Sequence, residues 1–256
     1  MKSIISDIHS NLEALQSVLK DIEKQGITEI ICLGDIVGYG PNPNECLDLI
    51  LGKCSKIVIM GNHDEALMQP VVGFGHKARQ AIEWTRTLLE PGWLSPRVKK
   101  NRWKFLKNLP LTKQDNGILC VHGSPRNPTT EYILPSDTET VMGERSAKLD
   151  EIFNMFQHFC FVGHSHYAGI ITEEQKFLTP VNLNYAYNIK PNEKLIVNVG
   201  SVGQPRDGDN RSCYVTFDEK TINYHRVEYD FKTTQKKIYE IPELDHWFGE
   251  RLEKGQ

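Results

Sequence analysis

The chain has 256 residues, 25% of them charged and 39% apolar, with a formal net charge of −3 and a pI near 6.3. Such a composition excludes a disordered polyelectrolyte and a polycation that grips nucleic acid through net charge. No apolar run approaches the roughly 18 residues that span a bilayer, and the length suits one large domain, 1–256, with a well-filled core.

In chain order, residues 2–6 read as a buried strand, and chemistry begins at once at Asp7, so no signal peptide is expected ahead of the fold. Ser10 and Glu13 stand in capping-box spacing before a helix whose apolar face is Leu12, Leu15, Leu19 and Ile22, ending at Gly26. Strands follow at 29–33 and 56–60, with a helix over 44–51 between them. The segment 66–116 breaks this rhythm with a helix over 77–89, the breaker Pro91-Gly92, and a second helix opened by Ser95-Pro96 with Val98, Arg102, Phe105, Leu106 and Leu109 in period. A helical insertion is expected there, lying over the rim of the sheet as a partial lid or packed beside it.

Strands are then expected at 118–121, 159–162 and 195–199, with a helix over 149–156 carrying Leu149, Ile152, Phe153 and Phe156 on one stripe. The strand runs are rich in Ile, Val, Phe and Cys without alternation, as in strands covered on both faces. Hairpins are expected at 169–179 and 213–229 and suggest a second, more antiparallel sheet. Residues 230–256 read as a polar, helical tail anchored by Trp247 and Phe248. The six cysteines are scattered with no C-x-x-C pair, which points to free thiols in a reducing, cytoplasmic setting.

Five polar clusters each follow an apolar strand run: Asp7-Ile8-His9, Gly34-Asp35, Gly61-Asn62-His63-Asp64, His122 and Gly163-His164-Ser165-His166. Singly they have ordinary readings as helix caps, turns or hydrogen-bonded strand ends. Together they place carboxylates, an amide and imidazoles at the ends of five strands that one sheet can gather to one rim. This oxygen and nitrogen donor set without thiolate suits two ions from Mn, Fe, Zn, Ni or Co, with Mn placed first. Two such ions clamp the attacking and leaving oxygens of an in-line displacement at phosphorus.

In their order these motifs resemble the signature of the calcineurin-like metallophosphoesterase superfamily. The phrases GDIVGYGPNP and NVGSVGQPRDGD further resemble bacterial members grouped with diadenosine tetraphosphatases and Ser/Thr phosphatase relatives. The resemblance covers roughly residues 2–217. It implies an α/β fold, the α/β/β/α four-layer sandwich of two stacked mixed sheets flanked by helices. It assigns Asp7, His9, Asp35 and His166 to one metal and Asp35, Asn62, His122 and His164 to the other, with a bridging hydroxide as nucleophile. His63 becomes the acid that protonates the leaving oxygen, and Asp64 the group that orients its ring. Gly38 stands where many members carry a second Asp, and Val199 where many carry Pro.

Arg126 and Arg206 are expected to bind substrate phosphate oxygens, because a guanidinium holds them bidentately. Asn11 reads as a helix-start residue. The expected activity is metal-dependent hydrolysis of a small phosphoester or dinucleoside polyphosphate, away from membranes and without a nucleic-acid platform. The alternatives are a protein phosphatase, a nuclease, or a noncatalytic metal-binding scaffold of the same fold.

Overall fold

The computed structural model describes residues 1–54, 56–71, 73–139 and 144–256. Two six-stranded mixed sheets stack face to face. The first runs β3 (Ile57–Val58), β2 (Ile30–Cys32), β1 (Lys2–Ile5), β11 (Ser212–Phe217), β12 (Thr221–Val227) and β9 (Ala186–Asn188). The second runs β4 (Thr112–Asp115), β5 (Ile118–Val121), β6 (Phe159–Val162), β10 (Leu195–Asn198), β7 (Gly169–Thr172) and β8 (Phe177–Leu178). Strands β1, β2 and β3 are mutually parallel, as are β5, β6 and β10, whereas the hairpin strands pair antiparallel.

Side chains alternate across each sheet, so neighbours in sequence enter different cores. Ile4, Ile31 and Val215 meet Cys120, Phe161 and Val197 between the sheets. Ile5, Ile30 and Cys32 face the other way, onto α1 (Leu12–Lys24) and α2 (Pro43–Lys53). Val121, Cys160, Val162 and Ile196 cover α6 (Ala147–Phe153) through Leu149, Ile152 and Phe153. The layers are helices, sheet, sheet, helix, as the resemblance implies. All six cysteines are buried and unpaired, and no described helix is long and apolar enough to cross a membrane.

Several elements differ from the sequence reading. The N-cap of α1 is Asn11, whose side chain accepts from the Ala14 N–H at 3.2 Å; Ser10 has φ 56 and caps nothing. Within 66–116, α4 (His76–Leu89) and α5 (Arg97–Lys107) pack beside the first sheet rather than over its rim. Arg102 of α5 bonds Asn44 and Asp48 of α2, and Leu89 and Leu106 join the helix-side core. The end of that segment is strand β4. The C-terminal residues form two packed helices, α7 (Phe231–Tyr239) and α8 (Trp247–Lys254), anchored by buried Phe248; Trp247 is exposed.

Candidate metal centre

The parallel strands of both sheets end at one rim, where such sheets leave room for ligands. Asp7 and His9 follow β1, Asp35 follows β2, and Asn62 opens α3 (Asn62–Ala66) after β3. His122 follows β5, and His164 and His166 follow β6. All but Asn62 are buried. Five of them leave their strands in the left-handed region, with φ 53 at Asp7, 49 at His9, 50 at Asp35, 63 at His164 and 62 at His166. The sheets are stitched together here: Asp7 Oδ2 accepts the His164 N–H at 3.0 Å, and the Val202 and Gly203 N–H groups donate to the Ser6 and Asp7 carbonyls at 2.9 Å. A Cβ at Gly61 would come 2.1 Å from Asp35 Oδ1, so glycine there leaves room for that carboxylate.

The side chains form two groups that share Asp35. In the first, His166 Nε2 lies 3.1 Å from both Asp7 Oδ1 and His9 Nε2, and His9 Nε2 lies 3.7 Å from Asp35 Oδ2. In the second, His122 Nε2 lies 3.4 Å from Asp35 Oδ2 and 3.1 Å from Asn62 Oδ1, with a His164 ring nitrogen inside the same cluster.

Outward-facing ring nitrogens meet main-chain carbonyls: His166 Nδ1 donates to Gln204 at 2.5 Å, His122 Nδ1 to Leu33 at 2.8 Å and His164 Nε2 to Thr130 at 3.3 Å. A nitrogen facing a carbonyl carries the proton, which leaves the opposite nitrogen as a lone pair aimed inward. His164 and His166 thus aim lone pairs inward, His122 does so once its inner nitrogen gives up its proton, and among the described residues Asp7 Oδ1 is buried without any hydrogen-bond partner. Inward acceptors beside two buried carboxylates fit a cation, whose charge would replace that of the His122 proton.

The charge balance agrees. Burial opposes ionisation of Asp7 and Asp35, yet His166 and His122 hold Asp7 below the usual carboxylate range, and His122 and His63 do the same for Asp35. Burial also works against a charged His122, but Asp35 and Asp7 raise it to about 9. Burial lowers His9 well below the ordinary imidazole value and His164 to about 3, which keeps those lone pairs available; it also lowers His63 to about 4, so an acid role there needs the negative charge of a bound phosphoryl group to hold the ring's proton.

His63 borders both groups, and its N–H donates to Asp35 Oδ1 at 2.8 Å. The expected contact from Asp64 to its ring is not made. The Asp64 carboxylate instead accepts from the N–H groups of Ile36, Val37 and Gly61 at 3.1, 3.3 and 3.1 Å, capping α3 and pinning the loop after β2. Burial raises that carboxyl to about 7. Packing places the His63 ring: Tyr39 lies 4.3 Å away, His9 4.9 Å and Phe74 5.1 Å, centroid to centroid. Nδ1 is buried without a partner, and a Cβ on Gly38 (φ 99) would stand 2.4 Å from it.

The two expected phosphate binders differ in what they touch. Arg126 is held by Glu131 and Glu151, so a phosphate would have to displace an ion pair, and the structure gives that expectation no support. Arg206 touches the neutral Gln204 amide at 2.8 Å, and among the described residues its buried Nε has no partner. The sequence reading missed Tyr132, stacked on His164 at 3.8 Å, and Gln204, whose carbonyl orients His166.

A family model described as calcineurin-like phosphoesterase matches residues 4–248. An uncharacterized protein of Methanocaldococcus jannaschii is 40% identical over 266 residues, spanning 100% of this chain and 98% of its own. The crystal structure of a metallophosphoesterase from Sphaerobacter thermophilus superposes with a TM-score of 0.81 at 34% identity, covering 99% of each chain. The symmetrical bis(5'-nucleosyl)-tetraphosphatase of Coxiella burnetii is 26% identical over 119 residues, 46% of this chain and 39% of that protein.

Proposed function

Because the chain belongs to the calcineurin-like phosphoester-hydrolysing family, we propose that it is a two-metal phosphohydrolase acting on small phosphoesters or dinucleoside polyphosphates. Asp7, His9, Asp35 and His166 would hold one ion, and Asp35, Asn62, His122 and His164 the other, with Mn placed first among Mn, Fe, Zn, Ni and Co for this thiolate-free donor set. The observation that carries the reading is the double group of inward-facing acceptors around Asp35. Bound ions would supply Lewis acidity to phosphoryl oxygens and lower the pKa of the attacking water.

The chain's own groups do the rest. The carbonyls of Gln204, Leu33 and Thr130 hold the imidazoles in the tautomers that present lone pairs. His63, beside Asp35, delivers a proton to the leaving oxygen. Asp64 acts at one remove, as a positioning residue that fixes the start of α3. Arg206 holds a non-bridging phosphoryl oxygen. Support for polyphosphate substrates comes from the similarity to the Coxiella burnetii tetraphosphatase.

The test is elemental mass spectrometry of protein prepared with and without Mn, combined with turnover of p-nitrophenyl phosphate, bis-p-nitrophenyl phosphate and diadenosine tetraphosphate. About two metals per chain and metal-dependent turnover are expected, the preferred compound setting the subclass. Stoichiometric metal with no turnover of any of the three would overturn the reading in favour of a noncatalytic scaffold.

A further inference from the structure

Two arginines from distant parts of the chain converge just outside the ring of candidate ligands. Arg206 follows Gln204 by two residues, and Arg251 lies in α8. Nη2 of Arg206 donates to Gln204 Oε1 at 2.8 Å, and Nη1 of Arg251 reaches the same oxygen at 3.4 Å. Among the described residues Arg206 has no carboxylate within ion-pair distance, in contrast to Arg126, Arg211 and Arg226. The Arg251 guanidinium lies 4.2 Å from the Trp247 ring centroid and gives its Nε proton to a main-chain oxygen of Gln256, the last residue, while its Nη1 stays turned to Gln204. Burial, then the nearby Arg206 charge, lowers Arg251 to about 10.

Two partly buried guanidinium groups that share one neutral acceptor leave an excess of positive charge there, which an anion between them would balance. Their position says which anion. The main-chain carbonyl of Gln204 orients His166, a candidate ligand, while its side chain meets both guanidinium groups. The pair therefore lies one residue out from the centre. A phosphoryl group at the centre would bring the next group of a phosphate chain toward the arginines.

We propose that Arg206 and Arg251 form a second anion subsite, which holds the phosphoryl group adjacent to the scissile one and selects substrates with two or more linked phosphates. This rests on the phosphohydrolase reading and adds Arg251, a residue of the C-terminal helices, to substrate recognition.

The test is calorimetric titration of the metal-loaded protein, at fixed free manganese, with orthophosphate and with methylenediphosphonate, whose P–C–P link resists hydrolysis. Wild type is expected to bind the diphosphonate at least ~10-fold more tightly, and R251Q to erase most of that preference while R251K keeps part of it. Equal wild-type affinities, or an R251Q variant that weakens both ligands alike or neither, overturn the subsite. Should R251Q not fold, the loss of preference from wild type to R251K decides, since chelation of manganese by the diphosphonate is common to both. The two readings fail separately: absence of phosphoester turnover sinks the phosphohydrolase, whereas the titration alone judges the subsite.

Discussion

Asp7, His9, Asp35, His164 and His166 each combine a candidate ligand side chain with a left-handed backbone. That conformation costs an L-residue about 1–2 kcal/mol, and Asp and His are among the residues that enter it most readily. Such strain is found where function over-determines the backbone. Two predictions belong here. H63N should keep wild-type metal content and lose about 10²–10⁴-fold in kcat on a substrate with a poor leaving group; undiminished hydrolysis of that substrate would remove His63 as the acid. G38A places a methyl group against His63 Nδ1 at a left-handed position, and should lower kcat by about 10²-fold through misplacement of the ring, again with metals retained. Wild-type kcat in G38A would show that the ring position is not critical. The clustering of ligand-type residues was legible because their chemistry is written in their side chains. The carbonyls of Leu33, Thr130 and Gln204 were not, since a main-chain acceptor has no sequence signature. Asp64 was misread because adjacency to His63 in sequence does not bring its carboxylate to the ring, and Arg126 because a basic residue after a strand says nothing of the glutamates that engage it.

Among the elements, the buried strands and amphipathic helices were legible from apolar runs and 3.6-residue stripes. Strand β4 was not: its sequence, Thr-Lys-Gln-Asp, carries no apolar signal, and it is held by pairing along the edge with β5 and by ion pairs from Asp115 to Lys2 and Lys56. Ser10 and Glu13 mimicked a capping box, but Glu13 is taken by Thr234 and Lys237 of α7. That contact brings the C-terminal helices to the start of α1, and Phe248 of α8 packs on Tyr39 at 4.8 Å. F248A should therefore cost about 3–5 kcal/mol in denaturant unfolding; a loss below ~1 kcal/mol would mean that α7 and α8 are only loosely docked. The loop after β5 is tied to α6 through Arg126, Glu131 and Glu151. Arg126 lowers the Glu131 carboxyl below its ordinary 4.5, so its contribution to stability is present above that value and lost as pH falls through the folded one. E131Q should melt below wild type at pH 7, with the gap closing under acid; a gap that persists in acid would assign it to packing.

At the scale of the whole molecule, uninterrupted apolar strand runs were a faithful sign of the architecture, because each sheet is covered by helices on one side and by the other sheet on the other. The hairpins at 169–179 and 213–229 pointed to a second, more antiparallel sheet, but they divide between the two mixed sheets, β7 and β8 beside β10, and β11 and β12 beside β1, because each extends an edge of the parallel strands. The two sheets meet in the candidate centre, where buried acceptors face one another, so metal binding should stabilise the entire sandwich. A ligand at 100 times its Kd adds about 2.7 kcal/mol; a chelator should lower Tm and manganese restore it, whereas an unchanged Tm would argue against tight binding to the native state. The stitching of the rim also sets an order of events during biosynthesis. Asp7 is separated from His164 by 157 positions, roughly 8–30 s of translation at ~5–20 residues per second. For that interval a nascent chain carries only half of the candidate ligand set. Under the proposed two-metal reading, selection of the cation would wait until both sheets have emerged and closed on each other, and would be governed by the finished geometry rather than by the first ion encountered.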